Sequence, residues 1–141
     1  MSVIISMKKS LPAIILSILV VVAALSPVCA DAKKKKAEIR FAESSYNFGN
    51  IPEKGGKVTH TFSFTNTGDA NLVIIDATAD CGCTVPQFPQ QPIAPGKKGV
   101  IKVTYDPLYR PGNFTKTITV RSNAKKRKVA VKITGYVVPS K

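Results

Sequence analysis

The feature that most constrains this chain is the alternation of apolar and polar residues along it. Val58, His60, Phe62 and Phe64 occupy every second position, with Thr59, Thr61, Ser63 and Thr65 between them. Ile101, Val103 and Tyr105 repeat the pattern, as do Phe114, Ile118 and Val120, and then Val129, Val131 and Ile133. Successive side chains of a strand point to opposite faces, so a period of two builds strands with one buried face. No window carries sustained helical spacing. Leu72 to Ile75 is continuously apolar, as a more central strand would be.

Turn chemistry separates these runs. Asn66-Thr67-Gly68-Asp69, Ala94-Pro95-Gly96, Asp106-Pro107 and Pro111-Gly112 supply residues that turns require. Seven strands are predicted, near 38–42, 45–48, 57–66, 71–79, 99–106, 113–121 and 127–137. The turn near Gly68 makes 57–66 and 71–79 a hairpin. Residues 86–96, with four prolines, form the one long loop. Seven short strands at this spacing predict an all-β fold, an immunoglobulin-like antiparallel sandwich. The chain has no Trp, so the expectation concerns architecture and not antibody kinship.

The N-terminus bears on compartment. Lys8 and Lys9 precede an apolar run from Leu11 to Leu25, followed by Pro27 and Val28-Cys29-Ala30. A positive start, an apolar middle and a small-residue end predict a cleaved secretory signal peptide over 1–30. The run falls short of the roughly 20 apolar residues that cross a bilayer. A lipid anchor through Cys29 is the rival, although Val28 and Ser26 match that pathway poorly. Residues 31–37 then read as a basic flexible leader, and 38–138 as the sandwich domain. The protein is expected to be exported, periplasmic or associated with the cell envelope.

After cleavage the formal charge stays near +11, because only Lys8 and Lys9 are lost. Such a charge favours anionic partners, and export argues against nucleic acid among them. Lys125, Lys126, Arg127 and Lys128 fall at the tip between the last two strands, where water can solvate them. They are the candidate polyanion-binding residues, competing with plain solvation of a charged turn.

Cys81 and Cys83 are the cysteines left after cleavage. An oxidising compartment makes a disulfide their default state, and Gly82 lets the backbone bend to close it. A structural clip is favoured over a thiol–disulfide exchange role, since thioredoxin-type spacing is missing. A copper or zinc site would need His60, the only histidine, beside both thiolates. Hairpin symmetry puts His60 level with Ala77, roughly 13 Å along the strand from Cys81, which argues against shared ligation. Gly55-Gly56-Lys57-Val58 lacks the spacing and hydroxyl of a phosphate loop. Asp69, Asp76, Asp80 and Asp106 lack the spacing of a calcium loop. No cofactor and no catalytic constellation are expected.

Phe48-Gly49-x-Ile51, Val58-x-His60-x-Phe62-x-Phe64-x-Asn66-x-Gly68 and Cys81-Gly82-Cys83-Thr84 stand in order along the chain. Ile93-x-Pro95-Gly96, Tyr105-Asp106-Pro107, Arg110-Pro111-Gly112-x-Phe114 and Ser122-Asn123 follow. Over roughly residues 41–137 the chain resembles the exported bacterial family known as domain of unknown function 1573. The resemblance implies a sandwich and an envelope location. It also implies kinship in architecture with the protein-binding modules of major sperm protein and cilium-associated proteins, and it supplies no reaction. The function expected is that of a non-catalytic binding or scaffolding module. Its partner would be another envelope protein or an anionic envelope surface, met peripherally unless Cys29 is lipidated. The alternative is a redox or soft-metal protein acting through Cys81 and Cys83.

Overall fold

The computed structural model describes residues 33–141. The predicted signal peptide and Cys29 lie outside the described residues. Alternation resolves into eight strands: β1 (Ile39–Phe41), β2 (Ser45–Pro52), β3 (Val58–Asn66), β4 (Ile74–Ala79), β5 (Thr84–Gln87), β6 (Lys98–Tyr105), β7 (Gly112–Ser122) and β8 (Lys128–Val138). They form two four-stranded sheets, ordered β1-β3-β6-β5 and β2-β8-β7-β4. The first sheet matches the A-B-E-D order of an immunoglobulin constant domain, and β4, β7 and β8 match its C-F-G sheet. The expected all-β sandwich is the fold observed.

The core lies where the two inner faces meet. Phe62, Phe64, Ile101, Val103 and Tyr105 come from one sheet, and Ile118, Val120, Val131, Ile133 and Val137 from the other; all are essentially sealed from water. Burying each large side chain stabilises the fold by about 1.5–3 kcal/mol. Tyr105 stacks on Phe114 across the layers, with ring centroids 4.1 Å apart.

Three expectations about pairing are corrected. First, β3 and β4 do not form a hairpin. β3 pairs with β1 and β6, whereas β4 pairs with β7 in the opposite sheet. The segment between them crosses layers, and Leu72 joins Ile93 through reciprocal backbone hydrogen bonds of 2.9 and 2.7 Å. β4 is therefore an edge strand and not a central one. A register shift between Ile74 and Asp76 leaves Ile75 56 % exposed beside buried Ile74. Second, the sandwich is not wholly antiparallel, since β2 runs parallel to β8. The chain leaves the first sheet after Phe41 and continues in nearly the same direction along the edge of the second. Third, an eighth strand, β5, occupies the start of the proline-rich loop and pairs with β6. Pro86 is tolerated there because an edge strand has an unpaired side, where a missing N–H costs nothing.

The boundary of the domain also shifts. The Lys36 N–H donates to Asp69 Oδ1 at 2.7 Å, and the Asp69 N–H returns a bond to the Lys36 carbonyl. Ala37 is buried and its carbonyl accepts from the Lys125 N–H at 2.9 Å. Lys36 and Ala37 thus belong to the sandwich and not to a leader. Strand directions sort the loops into two groups. The loops at 53–57, 80–83 and 106–111 share one end, and those at 67–73, 94–97 and 123–127 share the other with Lys36.

Candidate functional site

The cysteine end holds the predicted disulfide. Cys81 and Cys83 are bonded, with Cα atoms 5.3 Å apart. Cys83 is buried and Cys81 half-buried. The Thr84 N–H donates to the Cys81 carbonyl at 3.2 Å, closing a tight turn around Gly82. The Asp106 N–H donates to the Cys83 carbonyl at 2.9 Å, which ties that turn to the end of β6. Lys57, Val85, Thr104 and Asp106 line a small recess of about 70 Å³ beside Cys83. Next to it, burial pushes the Tyr105 phenol above its usual 10.0, with Arg110 opposing and Asp106 adding to the shift.

His60 is elsewhere. In the first sheet it sits opposite Val103, which in turn faces Pro86, whereas Thr84 faces Tyr105. Cys83 is therefore offset by three residues along the strands and by two strands across them, about 10 Å in each direction. The expected separation of His60 from the thiols stands, although the hairpin used to estimate it does not exist. His60 Nε2 lies 2.5 Å from Glu43 Oε1. Its ring stacks on Tyr46 at 3.6 Å and meets Phe62 edge-on. This is the role of a partly buried, hydrogen-bonded ring. Among the described residues no three His, Cys, Asp or Glu side chains are grouped as a metal site.

The opposite end carries charge that the sequence disperses. Lys125, Lys126, Arg127 and Lys128 are exposed on the β7–β8 turn, as expected. The bond between Lys125 and Ala37 brings the earlier lysines to the same place. Lys34, Lys35, Lys36, Asn123, Lys125 and Arg127 line one hollow of about 330 Å³. A second hollow of about 400 Å³ shares Asn123 and Arg127 and adds Arg121 and Lys128.

Asn123 frames both hollows. Its Oδ1 accepts from the Val73 N–H at 2.8 Å, and its Nδ2 donates to the Asn71 carbonyl at 3.0 Å. The turn is closed by Ser122 N–H donating to the Arg127 carbonyl at 2.9 Å. Two acids temper the charge: Asp69 beside Lys36, and Asp76, 3.9 Å from Arg121. Gathered at one end, the remaining cations give a positive potential that a dispersed set would not. Sequence reasoning singled out only the later run. The signal for the earlier one was the same, four consecutive lysines from Lys33, but their pairing is set by a contact across about 90 positions.

Comparison with known proteins follows the architecture. A protein of unknown function from Porphyromonas gingivalis W83 superposes with a TM-score of 0.60 at 14 % identity, over 73 % of this chain and 47 % of that one. The VesB protease of Vibrio cholerae gives 0.58 at 14 % identity, over 72 % of this chain and 32 % of that one. The chain thus spans less than half the length of either protein. The ASH / PapD-like domain 7 of human CEP192 gives 0.51 at 13 % identity, over 75 % of this chain and 87 % of that domain. At such identities the likeness establishes a shared fold. Among curated proteins none matches the chain. The chain belongs to the family described as Protein of unknown function (DUF1573), whose model matches residues 39–137.

Proposed function

We propose that the domain is a non-catalytic, exported binding module of the bacterial cell envelope that docks its basic end onto an anionic lipid surface. The observation that carries the reading is the convergence of Lys34–Lys36 with Lys125–Lys128 through the Lys125–Ala37 backbone bond. A basic residue close to an anionic bilayer contributes about 1 kcal/mol, so a group of them supports reversible attachment. Export rests on the predicted signal peptide and is checked by fractionating the producing cell. The docking is tested by sedimenting the purified protein with phosphatidylglycerol-containing and with pure phosphatidylcholine vesicles. Preferential pelleting with the anionic vesicles is expected, fading between roughly 50 and 500 mM salt. A Lys125→Glu/Arg127→Glu variant should bind at least about tenfold more weakly, while Lys54→Glu/Lys57→Glu at the opposite end should bind nearly as before. Equal pelleting with both vesicle types would overturn the reading.

A thiol–disulfide role has one observation in its favour: Cys81 is half-buried at an open end, with Lys57 lining the recess beside its partner. A cation near a sulfur favours the thiolate. Under this reading a Cys81→Ser/Cys83→Ser variant loses a thiol-exchange activity that the native protein shows with glutathione. Under the docking reading the same variant keeps its vesicle binding.

A further inference from the structure

The outer face of the second sheet carries a recess that neither reading uses. β2, β8 and β7 lie side by side there, and their registers place outward residues in rows. Asn47 is level with Thr134, which is level with Thr115; Asn50 is level with Tyr136, which is level with Asn113. These six side chains line a hollow of about 350 Å³ floored by Gly135 and Phe114. The hollow owes its depth to an irregularity in β2, whose register shifts between Asn47 and Asn50. Gly49 sits at that shift with φ of 68°, a conformation that disfavours other residues. A side chain at Gly135 would run into the Phe114 ring at 2.7 Å and the Gly49 carbonyl at 3.0 Å. Bulges of this kind re-aim side chains at binding sites. Gly135 faces Phe114 across the β7–β8 pair, and the recess lies toward the cysteine end of the sheet, away from the basic end, without including either cysteine.

We infer that this recess binds an uncharged β-1,4-linked saccharide chain. The chemistry of the lining supports this class. On a chain of formal charge +13, all six lining side chains are neutral, so the site complements a neutral ligand; the cation beside it on β8, Lys132, lies one row outside the lining. Amides and hydroxyls can each donate and accept, as neighbouring sugar hydroxyls require. Asn47 Oδ1 already accepts from the Gly49 N–H at 2.8 Å, which leaves its amide hydrogens to donate outward. Tyr136, 39 % exposed between Asn50 and Asn113, presents an apolar ring with a polar tip, the combination that packs on a pyranose C–H face. Spacing agrees as well. Neighbouring strands are about 4.8 Å apart, close to the roughly 5 Å repeat of an extended β-1,4-linked chain, so successive sugars can meet successive strands. The volume is at the small end for ligand sites, enough for a short stretch of the chain.

The test is a ¹⁵N NMR titration of the purified protein with cellotetraose, chitotetraose and maltotetraose in turn, each to roughly 10 mM. Shifts are expected with at least one of the two β-1,4-linked sugars, at the side-chain amides of Asn47, Asn50 and Asn113 and at Thr134 and Tyr136. Whichever of the two binds more tightly identifies plain glucose or N-acetylglucosamine units as the preferred repeat. Maltotetraose, whose α-1,4 linkage curls the chain, should bind at least about tenfold more weakly. Tyr136→Ala and Asn113→Ala should each weaken binding by about tenfold with unchanged melting, whereas Lys125→Glu/Arg127→Glu and added salt should leave it unaltered. The inference fails if neither β-1,4-linked sugar shifts these resonances, if maltotetraose binds equally well, or if the shifts fall at the basic end. The salt dependence separates this outcome from that of the vesicle experiment.

Discussion

Asn66 shows how much a single side chain can decide. In the sequence it is one of several turn residues; in the fold it is fully buried. Its Nδ2 donates to the carbonyls of Ala70 and Ile93 at 2.8 and 2.9 Å, and its Oδ1 accepts from the Gly68 N–H at 3.0 Å. The amide thereby holds the crossing between the sheets to the Ile93 segment. Asn66→Ala should strand those buried groups and destabilise the protein by roughly 2–4 kcal/mol, read from urea denaturation. A loss below about 0.5 kcal/mol would contradict this role.

Glu53 gives a pH dependence at the same scale. Hydrogen bonds from the Ser140 backbone and hydroxyl, both 2.9 Å, hold its carboxylate below the ordinary 4.5, with Lys54 adding to the effect. A depressed carboxylate stabilises its contact above the ordinary value and loses it as pH falls through the lowered one. The Ser140 amide resonance should therefore titrate with its midpoint below the ordinary carboxylate value, and Glu53→Gln should abolish that titration. Movement centred at or above the ordinary value would refute it.

At the scale of elements, the Cys81–Cys83 disulfide encloses a single intervening residue. Cross-links restrain the unfolded chain in proportion to the logarithm of the loop they close, so this one stabilises by only about 1–2 kcal/mol. Thermal melts with and without reductant should differ by no more than about 10 °C, with the same strand content by circular dichroism. Unfolding on reduction would show that the clip organises far more than its turn. Two of the four edge strands, β4 and β5, were read least well. β5 is short and interrupted by Pro86, and β4 is apolar throughout its start, so neither displays the alternation that betrays a strand with one wet face.

For the whole molecule, the two basic runs matter through their meeting. Deleting residues through Lys35 should lower anionic-vesicle binding while leaving the melting temperature within a degree or two. Extending the deletion through Ala37 should also destabilise the sandwich by roughly 1–2 kcal/mol. It removes a buried methyl and the bonds to Asp69 and Lys125. Melting curves and vesicle sedimentation of the two truncations separate the roles, and equal melting would show Ala37 to be dispensable.

The sequence by itself determined that the alternating segments make strands, which face of each of those segments is buried, and that the layers form a sandwich. Side-chain alternation is a local period, and Phe62, Ile101, Ile118 and Val131 show it without reference to any partner. It also determined that Cys81 and Cys83 could join, since one glycine separates them. Only the tertiary structure decided which strands are neighbours. Nothing between Asn66 and Leu72 says whether the chain turns back or crosses layers, because that depends on Ile93 waiting to pair with Leu72. The parallel β2–β8 edge, the meeting of Lys36 with Lys125, and the Asn47–Thr134–Thr115 row arise the same way. Each joins residues remote in the chain, through contacts that form only once the core has fixed where both strands lie.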